Sequence, residues 1–420
     1  MKYPTESALI IDNGLFPSLA VTLAKDFGKV WYSKPTMGEA FPTSTSMLVG
    51  KGLPGVEVPN DFHDVLDEAD IIVFPDVYFA GLQRYLEGLG KRVWGARRAE
   101  WLELDRAAAK KDMEKLGIPV VPYELVTGLD ALWEYLKKHE DVWIKISKTR
   151  GDVETFQSEN FTLVEGELNR LSSVLGHDQK NKVFVVEKNL KDTIELAIDW
   201  YVVDGQTPQS GMVGIEAKNK SYLGVWEDRE EMLPELLKPY DLLAPALEKH
   251  HCRSWVAFET RFNKKGKAFV QDPCMRGGTP PFEVCQLQYT NTAEIIREGA
   301  DGVLVEPIPA AKFAVQLQIH SEWASDQWLP VQFPDKIADN VKLKNVTRMD
   351  GQYYVLPQAN HAKDVGAICA TGNTVKDAVR QVKEIAEQVK GYYLDIYPDS
   401  LDGIQDELDK IAEEYGIELA

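Results

Sequence analysis

The feature that most constrains this chain is the regular exchange of strand and helix signals over its first hundred residues. ALIID (8–12) reads as a strand, SLAVTLAKDFG (18–28) as a helix closed by Gly28, and KVWYS (29–33) as a second strand. An amphipathic stretch at 61–69 precedes a buried strand, ADIIVFPD (69–76), a helix, GLQRYLEGLG (81–90), and another strand, KRVWG (91–95). Strands that alternate with helices predict a parallel sheet covered on both faces.

From Asp105 the pattern changes. DRAAAKKDMEKLGIP predicts a helix capped by Asp105, ended by Gly117 and barred from continuing by Pro119. VPYELV reads as a strand, LDALWEYLKKH as an amphipathic helix and DVWIKIS (141–147) as a strand. KVFVVEK (182–188) and ELAIDWYVVDG (195–205) follow a polar stretch and a weaker helix; the second alternates as an antiparallel strand does. The segment 226–250 reads as helical. A third unit starts near Pro307: KFAVQLQIHSEWA (312–324) and QYYVLPQAN (352–360) read as strands, and 365–398 as a strand, a turn and a long helix capped by Asn373 or Thr374. A short helix is expected after Ser400.

A chain of 420 residues exceeds one typical core and implies two to four domains, here 1–104, 105–306 (with a lid at about 118–190) and 307–420. The formal charge of −19 argues against general nucleic-acid binding and against anionic membrane surfaces. No run is long enough for a membrane helix, and the N-terminus lacks the apolar core of a signal peptide. Four scattered cysteines fit a reducing compartment, so the expected localisation is cytoplasmic. Oligomeric state is not readable.

The chemistry centres on FETRFNKKGKAFVQDPCMR (258–276). It reads as two strands around the turn Asn263–Gly266, with Glu259 on the first, Asp272 ending the second and Arg276 four residues later. Two strand carboxylates beside a guanidinium offer hard oxygens to a metal ion and a planar fork to phosphate; an ordinary charged hairpin would read the same. Familiar nucleotide motifs fail. Gly50-Lys51-Gly52-Leu53-Pro54-Gly55 matches a dinucleotide fingerprint, but Pro54 and VEVP start no helix behind it.

Other residues add to the hairpin. Arg106 and Lys110 lie one turn apart on one helix face, which is either solvated or turned into a cleft. Lys145 alternates with apolar neighbours and is either an edge guard or a cleft residue. It precedes a basic turn, Ser147-Lys148-Thr149-Arg150-Gly151. Glu187 ends a strand, the backbone at Lys188–Leu190 reads as free of ladder bonds, and Glu195 follows eight residues on; plain strand-end polarity is the alternative. His250-His251-Cys252 is a weak metal candidate because adjacent residues point apart, and Cys274 and Cys285 read as packed thiols.

In this order the pieces resemble the ATP-grasp superfamily, most closely proteins like phosphoribosylamine–glycine ligase. The resemblance covers almost the whole chain and includes Arg106 to Lys110 before Gly117-Ile118-Pro119, Ala370 to Ala378, and Tyr393-Leu394-Asp395-Ile396. It implies an ATP-grasp fold with an N-terminal parallel α/β domain and a C-terminal domain, α/β in class and α+β overall. It implies an ATP- and Mg2+-dependent carboxylate–amine ligase working through an acyl phosphate on small molecules, with Mn2+ as an alternative ion. Arg106 and Lys145 would meet the α- and β-phosphates, with Lys148 or Arg150 supplying charge to the phosphate loop. Glu187, Lys188 and Leu190 would frame adenine and Glu195 would hold ribose. Glu259 and Asp272 would bind the metal, and Arg276 would steady the transferred phosphoryl group or the acyl phosphate. An ATP-binding protein without turnover and a phosphotransferase are the rival readings.

The chain departs from the family at named places. Asp272-Pro273-Cys274-Met275-Arg276 stands where Glu-x-Asn-x-Arg is usual, and only Gly151 marks the phosphate loop. Asp12-Asn13-Gly14-Leu15-Phe16 replaces a glycine-rich motif, and Gly277-Gly278-Thr279-Pro280-Pro281 replaces a glycine–acid pair. The last two departures fall where the named ligase holds its own substrates.

Overall fold

The structure, a computed structural model, describes residues 1–35, 46–148, 155–357 and 363–419. Among these residues the strands form four sheets. The first contains β1 (Tyr3–Ile11), β2 (Phe27–Ser33), β3 (Val56–Glu57), β4 (Ile71–Val73) and β5 (Arg92–Trp94), all parallel in the order β3-β2-β1-β4-β5. Alternate residues of β1 serve two cores. Ala8 and Ile10 pack with Leu19, Ala20 and Leu23, whereas Leu9 and Ile11 pack with Phe62, Phe79 and Leu86. That division is why the strand is apolar from Ala8 to Ile11, as a parallel strand covered on both faces must be.

The helix expected over 18–28 is shorter, Pro17–Leu23, and Gly28 lies inside β2. A side chain at Gly28 would place its Cβ 2.1 Å from the Pro4 carbonyl oxygen, so this glycine serves strand approach and not helix termination. Gly50–Gly55 passes through turns into β3, without the helix a dinucleotide fingerprint requires.

The second sheet is antiparallel: β6 (Tyr123–Thr127), β7 (Val142–Ile146), β8 (Thr155–Ser158) and β9 (Val183–Lys188), in the order β6-β9-β7-β8. Val142, Ile144 and Ile146 face helices Leu129–Leu136 and Phe161–Leu175 in a separate core. Period-two alternation therefore turns Lys145 to the other face. β7 is flanked on both sides, so the edge-guard reading of Lys145 is wrong.

Five strands of the next region are β10 (Thr193–Val203), β11 (Ser210–Ala217), β12 (Ser221–Asp228), β13 (Arg253–Asn263) and β14 (Ala268–Cys274). The remaining chain supplies β15 (Phe313–His320), β16 (Leu329–Gln332), β17 (Val341–Leu343), β18 (Val346–Met349), β19 (Gln352–Val355) and β20 (Asp364–Gly372). The large sheet runs β14-β13-β10-β11-β12-β15-β20-β17, with Asp395–Ile396 paired to β15. It thus crosses residue 307 without a break, because β12 pairs directly with β15. β18, β19, β16 and Lys390–Gly391 make the small fourth sheet.

Several boundaries differ from expectation. Helix Pro234–Lys249 begins later than 226 because β12 takes the chain to Asp228. β15 stops at His320, and Trp323–Ser325 is a 3-10 turn. The helix after Thr374, which caps it through a bond from the Asp377 amide, ends at Ala386. Lys390–Gly391 instead pairs with β16, so tertiary pairing ends the helix early. Residues 358–360 of the expected 352–360 strand lie outside the described residues.

Candidate nucleotide and metal crevice

One face of the large sheet forms the floor of a crevice of about 300 Å3. Every second residue points into it: Glu195, Ala197 and Asp199 from β10, Gly214 and Glu216 from β11, Glu259 from β13, and Asp272 and Cys274 from β14. The expected hairpin is present. Glu259 and Asp272 are cross-strand partners in β13–β14, beside a bulge between Glu259 and Thr260. The turn closes through Asn263, whose Oδ1 accepts from the Lys265 and Lys267 amides, and Gly266 takes a φ of 71°. β14 continues past Asp272 to Cys274, so the carboxylate does not end the strand.

Buried lysines join the second sheet to this hairpin. Lys145 Nζ lies 2.6 Å from Asp272 Oδ2 and 2.9 Å from Glu187 Oε2. Lys110 Nζ lies 2.5 Å from Glu187 Oε1 and donates to the Gln271 carbonyl at 3.1 Å. Lys110 is only 2% exposed, so its helix face is turned inward and not solvated. Burial by itself would discharge Lys145, yet Asp272 and Glu187 hold its pKa above the ordinary lysine value. Burial would likewise raise Asp272, but Lys145, Arg106 and Lys110 hold it well below the usual carboxylate range. Arg106 starts helix Arg106–Lys115, capped by Asp105, and donates to the Ile146 carbonyl at 3.0 Å.

Lys148 is 73% exposed at its side chain, 3.1 Å from Asp105; Thr149, Arg150 and Gly151 lie outside the described residues. The link after β9 is less free than its sequence implies. The strand extends to Lys188, which pairs with Val142 and donates to the Pro122 carbonyl, and the Asn189 amide donates to Asp141. Leu190 offers its carbonyl to the Thr193 hydroxyl at 3.0 Å. The ladder bonds continue because β6 and β7 flank β9 on both sides.

Glu195 sits between Arg261 (2.6 Å) and Lys218 (2.9 Å), and Lys218 also reaches Glu216 at 3.0 Å. Burial pushes Glu259 up to about 8, with Glu195, Asp272 and Glu216 adding to it against the pull of Lys218. Its side chain keeps about a third of its surface open, 34%, on the crevice side. At the far end Arg276 Nε pairs with Glu103 at 2.9 Å and approaches Asp76 at 3.7 Å. Asn13 also donates to Asp76, at 3.1 Å, and Thr279 accepts from Arg276. The two departures from the family at 12–16 and 277–281 therefore meet around Arg276.

Glu103, Glu216, Lys218 and Asp199 were not foreseen. The Glu216-x-Lys218 spacing on one sheet face is a usable signal for the middle two; Glu103, in a short apolar helix, has none.

The donor set fits one hard divalent cation. Glu259 and Asp272 supply carboxylate oxygens on a floor with excess negative charge, while burial pushes the Cys274 thiol up to about 12 and keeps it protonated. Among the described residues no three His, Cys, Asp or Glu side chains form a metal-ion group, which leaves further coordination to phosphate and water and sets aside His250-His251-Cys252. Cys252 and Cys285 are buried free thiols. No described helix is long and apolar enough to cross a membrane.

No family model and no curated protein matches the sequence. Solved structures do. Phosphoribosylamine–glycine ligase from Thermotoga maritima aligns with a TM-score of 0.70 at 18% identity, covering 92% of this chain and 98% of that one. The biotin carboxylase domain of Hydrogenobacter thermophilus 2-oxoglutarate carboxylase, solved with Mg-ADP and bicarbonate, aligns at 0.67 and 13% identity over 98% of each chain. N5-carboxyaminoimidazole ribonucleotide synthetase from Thermotoga maritima aligns at 0.56 and 15%, covering 92% and 99%. The fold of this chain is that of the ATP-grasp enzymes.

Proposed function

We propose that the protein is an ATP- and Mg2+-dependent ligase that joins a small carboxylic acid to an amine through an acyl phosphate. The observation that carries this reading is that Arg106, Glu195, Glu259, Asp272 and Arg276 line one crevice, with Lys145 paired to Asp272 and sharing Glu187 with Lys110 behind it. On this reading residues 105–306 grip the nucleotide, with 118–190 as lid, and 1–104 and 307–420 flank them.

Arg106 and Lys145 neutralise the α- and β-phosphates, with Lys148 at the loop. The backbone from Glu187 through Lys188 to Leu190 borders adenine, while the Glu187 side chain orients Lys110 and Lys145. Glu195 accepts from ribose hydroxyls. Glu259 and Asp272 hold the metal ion, which when bound draws negative charge off the transferring phosphate. Arg276, fixed by Glu103, stabilises charge on the phosphoryl group as the substrate carboxylate attacks, and the amine then displaces phosphate. Fixed positive charge and positioning account for the catalysis, so no protein nucleophile is required.

The protonated Cys274 thiol beside the metal carboxylates favours a second reading, nucleotide binding without turnover. Incubation with ATP, Mg2+ and a panel of amino acids and phosphorylated acceptors, scored for ADP and product mass, separates the two. ADP with an amide product supports ligation; ATP-dependent thermal stabilisation without ADP supports the second reading; ADP with a stable phosphorylated product and no amine requirement marks a phosphotransferase.

A further inference from the structure

A second cavity, of about 330 Å3, lies between helix Pro17–Leu23 of the N-terminal sheet and strands β17–β19, and it shares no lining residue with the crevice. Its wall is largely apolar, built by Val21, Ala24, Leu53, Phe333, Leu343 and Tyr353. Lys342 also lines it and is 4% exposed.

The other buried lysines set the contrast. Lys110 and Lys145 share Glu187, and Lys344 has Asp364 at 2.5 Å and Glu283 at 3.3 Å. Among the described residues the Lys342 ammonium makes no ion pair or hydrogen bond, and the Asp339 carboxylate attracts it only from beyond ion-pairing distance. A carboxylate on the rim, Asp339, is occupied by Lys25 at 2.6 Å in a solvent-exposed pair. An unpaired charge at this depth is costly unless something compensates it. Burial pushes Lys342 down to about 8, which still leaves it largely protonated at neutral pH.

We propose that this cavity binds a small amphipathic monoanion, its acidic head on the Lys342 ammonium and its apolar body against Val21, Leu53, Phe333 and Tyr353. The volume is in the range of small-molecule sites, and one unpaired cation in an apolar wall matches one negative charge. The proposal is independent of the reaction assigned to the crevice.

Calorimetry and thermal melting of the full chain with hexanoate, hexanol and hexylamine test it. Hexanoate is expected to bind one to one and raise the melting temperature with dose, hexylamine to do neither, and hexanol to bind at least about tenfold more weakly than hexanoate. Lys342→Met is expected to weaken hexanoate binding by at least about tenfold and, without ligand, to melt above wild type because an unpaired buried charge is removed. Ala24→Phe, which fills the cavity and keeps the lysine, is expected to abolish hexanoate binding and covers the case in which Lys342→Met does not fold. The proposal fails if hexanoate gives no signal at millimolar concentration, if hexylamine or hexanol binds as well, if either variant keeps wild-type affinity, or if Lys342→Met melts below wild type.

Discussion

Lys145 and Asp272, 127 residues apart in sequence, meet at 2.6 Å and tie the sheet of β6–β9 to the β13–β14 hairpin. The same ammonium reaches Glu187 at 2.9 Å, so one buried cation links the proposed adenine border to the proposed metal ligand. Opening this contact would separate the two halves of the proposed nucleotide grip.

Lys145→Met should therefore harm both activity and stability. ADP release is expected to fall by about 10²-fold or more, as when one fixed charge is removed from a phosphoryl-transfer site. Urea unfolding should show a loss of about 3 kcal/mol, the low end for breaking a buried pair, because Lys110 remains to satisfy Glu187.

Glu259→Ala is expected to abolish ATP-dependent phosphate release while leaving a cooperative melt. The variant should also lose Mg2+-dependent stabilisation by nucleotide. Full activity at ordinary Mg2+ concentration would remove Glu259 from the metal site.

Cys274→Asn replaces a protonated thiol with a hard oxygen on the same strand face as Asp272. Half-saturation by Mg2+, followed through ADP release or nucleotide binding, should move to a lower concentration. An unchanged Mg2+ dependence would show that this side chain does not face the ion.

Asp199 gives a pH signature of opposite sign to an ordinary salt bridge. Burial pushes its carboxyl up to about 7, against a bond from the Tyr222 hydroxyl at 2.5 Å that favours the ionised form. The folded state therefore binds more protons than the unfolded state between about pH 4 and 7, and stability falls as pH rises through that window. The loss attributable to this group is at most on the order of 4 kcal/mol, and Asp199→Asn should flatten it in urea titrations across the same range. A variant with the wild-type pH slope would place the effect on another group.

Four of the five strands of the N-terminal parallel sheet were readable from apolar runs such as Ala8–Ile11 and Ile71–Val73 and from the helical periodicity between some of them, whereas the two-residue β3 was not. The hairpin was readable because its turn residues and its two carboxylates lie within a dozen or so positions of one another. Element ends were less legible. The helix expected to run on from Thr374 stops at Ala386 because Lys390–Gly391 finds a strand partner in β16, which helical periodicity does not encode. Gly28 looked like a helix stop by composition, but its position against the Pro4 carbonyl is a contact between strands.

The local pattern of residues was enough to mark Glu259, Asp272, Arg106 and Lys145 as candidates, since strand and helix periods say which side chains share a face. Long-range pairing decided their partners: Lys110 and Lys145 both on Glu187, Lys218 among Glu195, Glu216 and Glu259, and Arg276 on Glu103. It also left Lys342 without an ion pair among the described residues, lining an apolar cavity with Asp339 acting on it only at longer range. Electrostatic pairing depends on distances across sheets, and periodicity along a chain carries no information about which strands become neighbours.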